Sequence, residues 1–293
     1  MARVNLAIDH IVKHLDGPLR LEDVARAAHF SPFHFHRVFQ ALMGEKLNPF
    51  VKRQRLERAL YLMSHKPGRA LTEIALECGF SSSSDFSRAF KQHYGMPPSL
   101  FDLQLFRDSR REEFKRVIAS QEGAPQLEKL PVGSNPDGFE VQMRDLPRQT
   151  VAYIRVLDPF DPIRVPDACA RLVKWAEERD LADGQWLGYM WEDPHIVAMK
   201  DCRYDVGLVL DEVQAEGEVG RFEFPPMRVA ELTLSGDIAL EMRALDWIFG
   251  TWLPSSGYTP SDQPSFEAWQ GRPFAHGMQH FELKLWLPVT SGR

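Results

Sequence analysis

A block of about fifty residues occurs twice within the first hundred positions, and this repetition limits the possible folds more than any other feature of the chain. Leu21, Val24, Ala25, Ala28, Phe30 and Ser31 return as Leu71, Ile74, Ala75, Cys78, Phe80 and Ser81. After one inserted residue, Phe35, Arg37, Phe39 and Gly44 return as Phe86, Arg88, Phe90 and Gly95. Repetition at this period means one supersecondary unit used twice.

Each copy carries the same physical pattern. Leu21, Val24, Ala25 and Ala28 fall on one face of a short helix, with Glu22 and Asp23 in its positive first turn. His29-Phe30 breaks the pattern. Ser31-Pro32 restarts it, because Ser is a favoured N-cap and Pro a favoured first helical residue. The following helix is expected to bury Phe35, Val38, Phe39 and Leu42 and to expose Phe33, His36, Arg37 and Gln40. In the second copy Ile74, Ala75 and Cys78 are buried, Gly79 turns the chain, and a helix restarts within Ser81–Ser84, where Ser83 and Ser84 are short outward-facing residues. That helix buries Phe86, Ala89 and Phe90 and exposes Ser84, Ser87, Arg88 and Lys91. Two short helices about a tight turn, the second with a hydrogen-bonding outer face, meet the requirements of a helix-turn-helix. Residues 49–64 are expected to form one helix that connects the copies.

That outer face suits the major groove. Arg37 and Arg88 occupy equivalent positions, and each can bond bidentately to guanine or to a phosphate. His36 and Gln40 offer polar contacts, Phe33 can pack on a thymine methyl, and Ser83, Ser84 and Ser87 are short enough to let the second helix lie deep. Lys52, Arg53, Arg55 and Lys91 are candidates for phosphate contacts, which position a protein without specifying sequence. The charge distribution agrees. Residues 1–118 hold 19 Lys+Arg against 13 Asp+Glu, whereas the remainder holds 16 against 28. A polyanion suits the first half, and a neutral or cationic partner the second.

The run ALTEIALECGFSSSSDFSRAFKQHYGMPPSLF resembles the AraC-type DNA-binding signature, and LEDVARAAHFSPFHFHRVFQALMG resembles that family's first helix-turn-helix. The resemblance covers about residues 5–105. It implies double-stranded DNA as partner, read by the second helix of each unit in successive major grooves. The base-facing positions it implies are Phe33, His36, Arg37, Ser83, Ser84, Ser87 and Arg88. Asp102 departs from the family, which usually has Arg there.

The organisation is multidomain. Residues 1–106 form an all-α double helix-turn-helix domain. Residues 107–138 begin highly charged and become rich in Gly, Pro and Ser, which reads as a linker. Residues 139–293 alternate strand and helix patterns, an α+β domain of two strand-helix-strand-strand units. The first unit takes strands at 150–156, 185–191 and 204–210 with a helix at 166–180. The second takes strands at 228–234, 265–269 and 281–287 with a helix at 238–252. Side by side they would form one antiparallel sheet with both helices on one face and a cleft between the halves.

Aromatic residues crowd this second half. The strand period of two puts Glu267 with Trp269 on one face, and Tyr189 with Trp191 on one face. With Tyr153, these residues are candidates to line a common cleft holding a carboxylate among rings. Such a cleft suits a lipophilic cation or a polar aromatic molecule. The runs EVQMRDLPRQTVAYIRVLDPF, CRYDVGLVL and TWLPSSGYTPSDQPSFEAW resemble the GyrI-like small-molecule-binding domain across 139–288. The resemblance implies an effector-binding role and carries the family's pocket glutamate onto Glu267. Asp158-Pro159-Phe160 departs from the family's usual Gly-Pro-Tyr at the cleft rim.

Together these readings describe a DNA-binding transcription regulator with a small-molecule effector domain, and RNA polymerase is a further candidate partner. A small-molecule hydrolase or a protein-interaction module in the second half is the alternative. No catalytic motif, cofactor motif or metal-ligand set is evident: His10/His14 and His34/His36 lack completing ligands. No apolar run is long enough for a membrane span, the first residues do not resemble a signal peptide, and the three cysteines are scattered. The expectation is a cytoplasmic, non-enzymatic protein.

Overall fold

A computed structural model describes residues 1–66, 68–120, 127, 129–275, 277 and 280–292. The first part is helical: α1 (Ala2–Lys13), α2 (Leu21–Ala27), α3 (Pro32–Met43), α4 (Leu47–His65), α5 (Leu71–Glu77), α6 (Ser83–Tyr94), a 3-10 turn at Pro98–Leu100, and α7 (Leu103–Ala119). Both restarts are capped as their serines predict. Ser31 Oγ accepts from the His34 N–H at 3.4 Å, and Ser82 Oγ accepts from the Asp85 N–H at 3.1 Å. Val24, Ala25, Ala28, Phe35 and Phe39 pack with α1 and Phe50 of α4 in one core. Ile74, Ala75, Cys78, Phe86, Ala89 and Phe90 are buried in the second copy. Leu42, expected inside, is 40% exposed at the end of α3.

The two copies differ at their turns. Gly79 has φ 81°, and His29 holds the equivalent left-handed position at φ 55°. The second site tolerates no side chain, since a Cβ on Gly79 would lie 2.4 Å from the Leu15 carbonyl oxygen and 2.9 Å from Arg55. Arg55 itself donates from Nε to Leu15 O at 3.0 Å and from Nη2 to Gly17 O at 2.6 Å, tying α4 to the loop after α1.

The chain divides into two units, and the division falls inside α7 after Ser109. The segment expected as a linker therefore belongs largely to the second unit. Arg111 forks onto Asp246 at 2.6 and 2.5 Å, the Leu130 N–H donates to the same carboxylate, and Leu130 and Phe139 join an apolar core with Trp247. Of the 107–138 segment, residues up to Ala119 continue α7, residues 121–126 and 128 lie outside the described residues, and Leu130 and the Asp137–Arg243 pair anchor the remainder to the second unit. Asp102 has a structural role: its carboxylate accepts from the Leu105 N–H at 2.9 Å and caps α7.

The second unit contains β1 (Gln142–Leu146), β2 (Gln149–Leu157), α8 (Arg164–Glu177), β3 (Trp186–Met190), β4 (Arg203–Leu210), β5 (Gly220–Phe224), β6 (Met227–Gly236), α9 (Ile238–Trp247), α10 (Leu253–Ser256), β7 (Tyr258–Pro260), β8 (Phe266–Trp269) and β9 (Phe281–Ser291). Every pairing is antiparallel, in the order β1-β6-β9-β8-β3-β4-β2-β5, with β7 on β9. The two ends of this order are joined by chain. Only Pro147-Arg148 separates β1 from β2, and only Pro225-Pro226 separates β5 from β6. One register runs through both breaks: Leu146 faces Met227 and, three residues on, Gln149 faces Phe224. Thus β1–β2 and β5–β6 act as two long bent strands paired with each other, and the sheet closes on itself as a barrel rather than lying open.

Closure gives the sheet an inside and an outside. Val151, Tyr153, Leu187, Tyr189, Phe222, Phe224, Phe266 and Trp286 fill the inside, as expected for a small barrel. On the outside, α8 covers Ala152, Ile154, Tyr204, Val206 and Leu208, and α9 covers Ala230, Leu232, Leu283 and Leu285. The helices therefore share one face, as the two-unit pattern predicts. Strand β8 lies between the two covered regions, paired to β3 on one side and β9 on the other.

Candidate functional site

The expected DNA-contacting residues lie on the outer faces of α3 and α6. Phe33 is 75% exposed, and the Arg37 guanidinium sits 6.0 Å from its ring centroid. Arg37 and Gln40 are exposed and His36 is half-buried. On α6, Ser84, Arg88 and Lys91 are exposed, and Ser83 and Ser87 are half-buried. The Arg88 side chain is 76% exposed, with only a long 3.9 Å approach to Asp85. Two of the four proposed phosphate ligands are engaged inside the protein instead. Arg53 is clasped by Glu45 at 2.6 Å and Glu57 at 2.9 Å, and Arg55 is the clamp on Leu15 and Gly17. Their sequence spacing fits a basic helical face, but Glu57 one turn along α4 and Glu45 just before it claim Arg53, and carbonyls of the loop after α1 claim Arg55. Lys52 and Lys91 remain at the surface.

The second candidate site centres on Glu267. Trp269 shares its face of β8 and packs among the residues under α8. Tyr153, Tyr189 and Trp191 do not join them, because all three belong to the barrel interior on the opposite face. The strand period assigned each strand correctly to alternate faces. The register between strands decides the rest: Gly188, not Tyr189, pairs with Glu267. Tyr153 and Trp191 instead surround Arg155, 5.0 and 5.6 Å from its guanidinium carbon, and Arg155 forks onto Asp205 at 2.8 and 2.7 Å. Trp191 Nε1 donates to the same Asp205 at 2.7 Å. These aromatics satisfy a buried ion pair, and they leave the outer face of the sheet to other rings.

Those other rings come from segments that alternation alone does not single out. Tyr204 of β4 donates its hydroxyl to Glu267 Oε2 at 2.7 Å. Trp269 packs with Phe274 and Phe281, centroids 4.9 and 5.5 Å away. Gly188 is the reason Tyr204 reaches Glu267: a Cβ there would sit 1.8 Å from the Tyr204 hydroxyl oxygen and 2.8 Å from Glu267 Oε2. Cys169 of α8 and Glu241 of α9 approach from the two covering helices, within electrostatic range of Glu267. Asp158, at the rim, adopts φ 53°, the left-handed geometry for which glycine is the usual residue.

Burial dominates the electrostatics. It lifts Glu267 to about 7, against the opposing hydrogen bonds from Tyr204 and Trp269. Burial and the nearby Glu267 charge push the Cys169 thiol to about 12 and raise both Tyr204 and Glu241 well above their ordinary values. At neutral pH the site therefore holds a neutral thiol, a neutral phenol, a Glu267 poised between its two states and a Glu241 that keeps its proton more tightly than an ordinary carboxyl. Among the described residues no Lys or Arg bonds either carboxyl. Such a site can accept a positive charge or a hydrogen-bond donor from outside.

Comparison with known proteins agrees with both halves. A helix-turn-helix domain family matches residues 24–103, and the GyrI-like small molecule binding domain family matches residues 139–290. The regulatory protein PocR of Salmonella typhimurium is 34% identical over 108 residues, which are 37% of this chain and 35% of PocR. The HTH-type regulator YbfP of Bacillus subtilis is 31% identical over 138 residues, 47% of this chain and 45% of YbfP. The chain thus spans about a third to a half of the length of these regulators. A DNA gyrase inhibitor of Serratia proteamaculans is 29% identical over 164 residues, 52% of this chain and 99% of that protein. Among solved structures, the EcmrR C-terminal domain covers 53% of this chain and 99% of that chain at 13% identity and a TM-score of 0.41. No described helix is long and apolar enough to cross a membrane. The chain belongs to the family of GyrI-like small molecule binding domains, joined here to an amino-terminal helix-turn-helix domain of the AraC type.

Proposed function

We propose that this protein is a transcription regulator that reads double-stranded DNA with α3 and α6 and binds a lipophilic, positively charged small molecule at Glu267. The carrying observation is the Glu267 carboxyl itself: half-buried, hydrogen-bonded by Tyr204, set beside Trp269 and bonded by no Lys or Arg among the described residues. An aromatic cation supplies the missing charge and stacks on the neighbouring rings. Relatives named as regulators, and a family named for small-molecule binding, support the same reading. The protein acts in this account by binding and not by turnover. Calorimetry with a panel of aromatic cations and their neutral isosteres tests it. Cations should bind at least about tenfold more tightly than isosteres, and Glu267→Gln should erase the difference; equal affinities in the parent protein would refute the ligand class.

One observation favours a second reading. A carboxyl with a pKa of about 7, hydrogen-bonded to a tyrosine, has the properties of a general base able to activate water. Product analysis after incubation with bound ligands separates the readings: unchanged ligand supports a sensor, and stoichiometric excess of hydrolysed product supports a hydrolase.

A further inference from the structure

The geometry points to a second anionic subsite at Glu241, which makes the groove selective for ligands bearing two positively charged nitrogens over those bearing one. This inference rests on the reading of Glu267 as the primary cation site and specifies the ligand class further.

Glu241 occupies an unusual place for a helical glutamate. It lies in the first turn of α9, one turn before Ala244 and two before Ile248, so it shares the stripe that α9 turns toward the sheet. Ala244 and Ile248 are fully buried in the α9 core, and Glu241 is only 6% exposed. A carboxyl on such a face ordinarily answers a cation or several N–H donors. Among the described residues the Glu241 carboxyl has neither a hydrogen bond nor an ion pair. The nearby basic residue on its helix, Arg243, is committed to Asp137 through two 2.8 Å bonds on the other side.

The strand register places Glu241 near Glu267: Leu285, the cross-strand partner of Glu267 on β9, packs in the core that α9 covers. The Glu267 charge acts on Glu241, and the Glu241 charge acts on Tyr204. The carboxyl from α9 therefore approaches the Tyr204–Glu267 pair from the helix opposite α8. Two carboxyls of like charge between the covering helices, with no Lys or Arg bonded to either among the described residues, do not readily ionise together until a ligand supplies positive charge. A monocation needs only one of the two carboxyls ionised and leaves the pair sharing a proton. A ligand with a second cationic nitrogen draws off that proton as well and gains a second charge-assisted contact. The aromatic lining of Trp269, Phe274 and Phe281 suits an organic dication with planar, delocalised charge.

The test uses the full chain and aromatic diamidines of increasing spacer length, each with its matching monoamidine. Calorimetry at pH 7 in buffers of different ionisation enthalpy gives both affinity and protons released. The expected result is that at least one diamidine binds about tenfold or more tightly than its monoamidine and releases more protons. Glu241→Gln should abolish that preference and the extra proton. The proton count on the parent protein needs no variant and stands even where the substitution unfolds the domain. Equal affinity and equal proton release for mono- and diamidines, or a preference untouched by Glu241→Gln, would overturn the inference while leaving Glu267 in its role. Monoamidine binding unaffected by Glu267→Gln would overturn the underlying reading of the site as well.

Discussion

Gly188→Ala probes the construction of the ligand site with a single methyl group. The added Cβ would stand 1.8 Å from the Tyr204 hydroxyl oxygen, 2.7 Å from its Cζ and 2.8 Å from Glu267 Oε2. All three are far inside contact distance, so the Tyr204 ring has to move. It is only 7% exposed and wedged against α8, so movement disturbs a packed core. Overpacking of this kind costs about 1–3 kcal/mol. Displacing the ring also breaks the 2.7 Å hydrogen bond to Glu267, and a bond to an ionised group contributes about 1.5–3 kcal/mol. The two effects share one displacement and do not add fully, so a loss of roughly 2–4 kcal/mol is expected. Urea denaturation at pH 8, where Glu267 is largely ionised, reads this directly. Gly17→Ala is the control: its Cβ would meet nothing nearer than the His14 carbonyl oxygen at 3.7 Å, so stability should change by less than about 1 kcal/mol. Parental stability and parental cation affinity in Gly188→Ala would show that the Tyr204–Glu267 pair is not built as described.

Because the folded-state pKa of Glu267 is raised to about 7 from an ordinary 4.5, the folded state holds the extra proton between those values, and stability should fall as pH rises through that window. Glu241 is raised in the same direction and ionises freely in the unfolded chain, so it adds to the same decline; Glu267→Gln should therefore reduce the slope of melting temperature against pH without removing it, and an unchanged slope would count against the raised Glu267 carboxyl. Arg55→Ala removes two bonds to backbone carbonyls beneath Gly79 and should destabilise the first unit by about 2–3 kcal/mol in chemical denaturation, whereas Arg37→Ala should leave its stability within about 0.5 kcal/mol. DNA binding should weaken steeply with salt, and Lys52→Ala should reduce the slope of log affinity against log salt by about one, whereas Arg53→Ala, already paired to Glu45 and Glu57, should not reduce it by its own charge.

What the sequence makes legible follows from the range of the interactions involved. The helix-turn-helix copies are local structures, so their periodicity, Ser caps and repeat locate α2, α3, α5 and α6 with their exposed faces. The strands β2, β4, β6 and β9 are equally visible as apolar runs, β2 and β4 being buried on both faces. β1 is exposed at four of its five positions and shows no apolar face. β5 does alternate around Phe222 and Phe224, but its neighbouring Pro225-Pro226 suggests loop. Missing those two segments hides the closure of the sheet, since they complete the two long bent strands. Closure in turn decides which aromatics lie inside. Glu267 and Trp269 share a face because they share a strand. Tyr189 and Tyr153 fall on the other face through cross-strand register, which no single strand encodes. The same holds for Arg53 and Arg55, whose partners Glu45, Leu15 and Gly17 come from other segments. Tyr204, Glu241 and Gly188 enter the site through tertiary packing, although a glutamate on the apolar stripe of α9 was a visible anomaly.

The most direct test of the central claim, that two repeated helix-turn-helix units read DNA through α3 and α6, is selection of binding sites from randomised duplex by the parent protein and by Arg37→Ala and Arg88→Ala. The account predicts a selected site of two base blocks centred about one helical turn apart. Arg37→Ala should relax preference within one block and Arg88→Ala within the other, each at a loss of roughly 1–3 kcal/mol. A single undivided block, or a site whose preferences survive both substitutions unchanged, would contradict it.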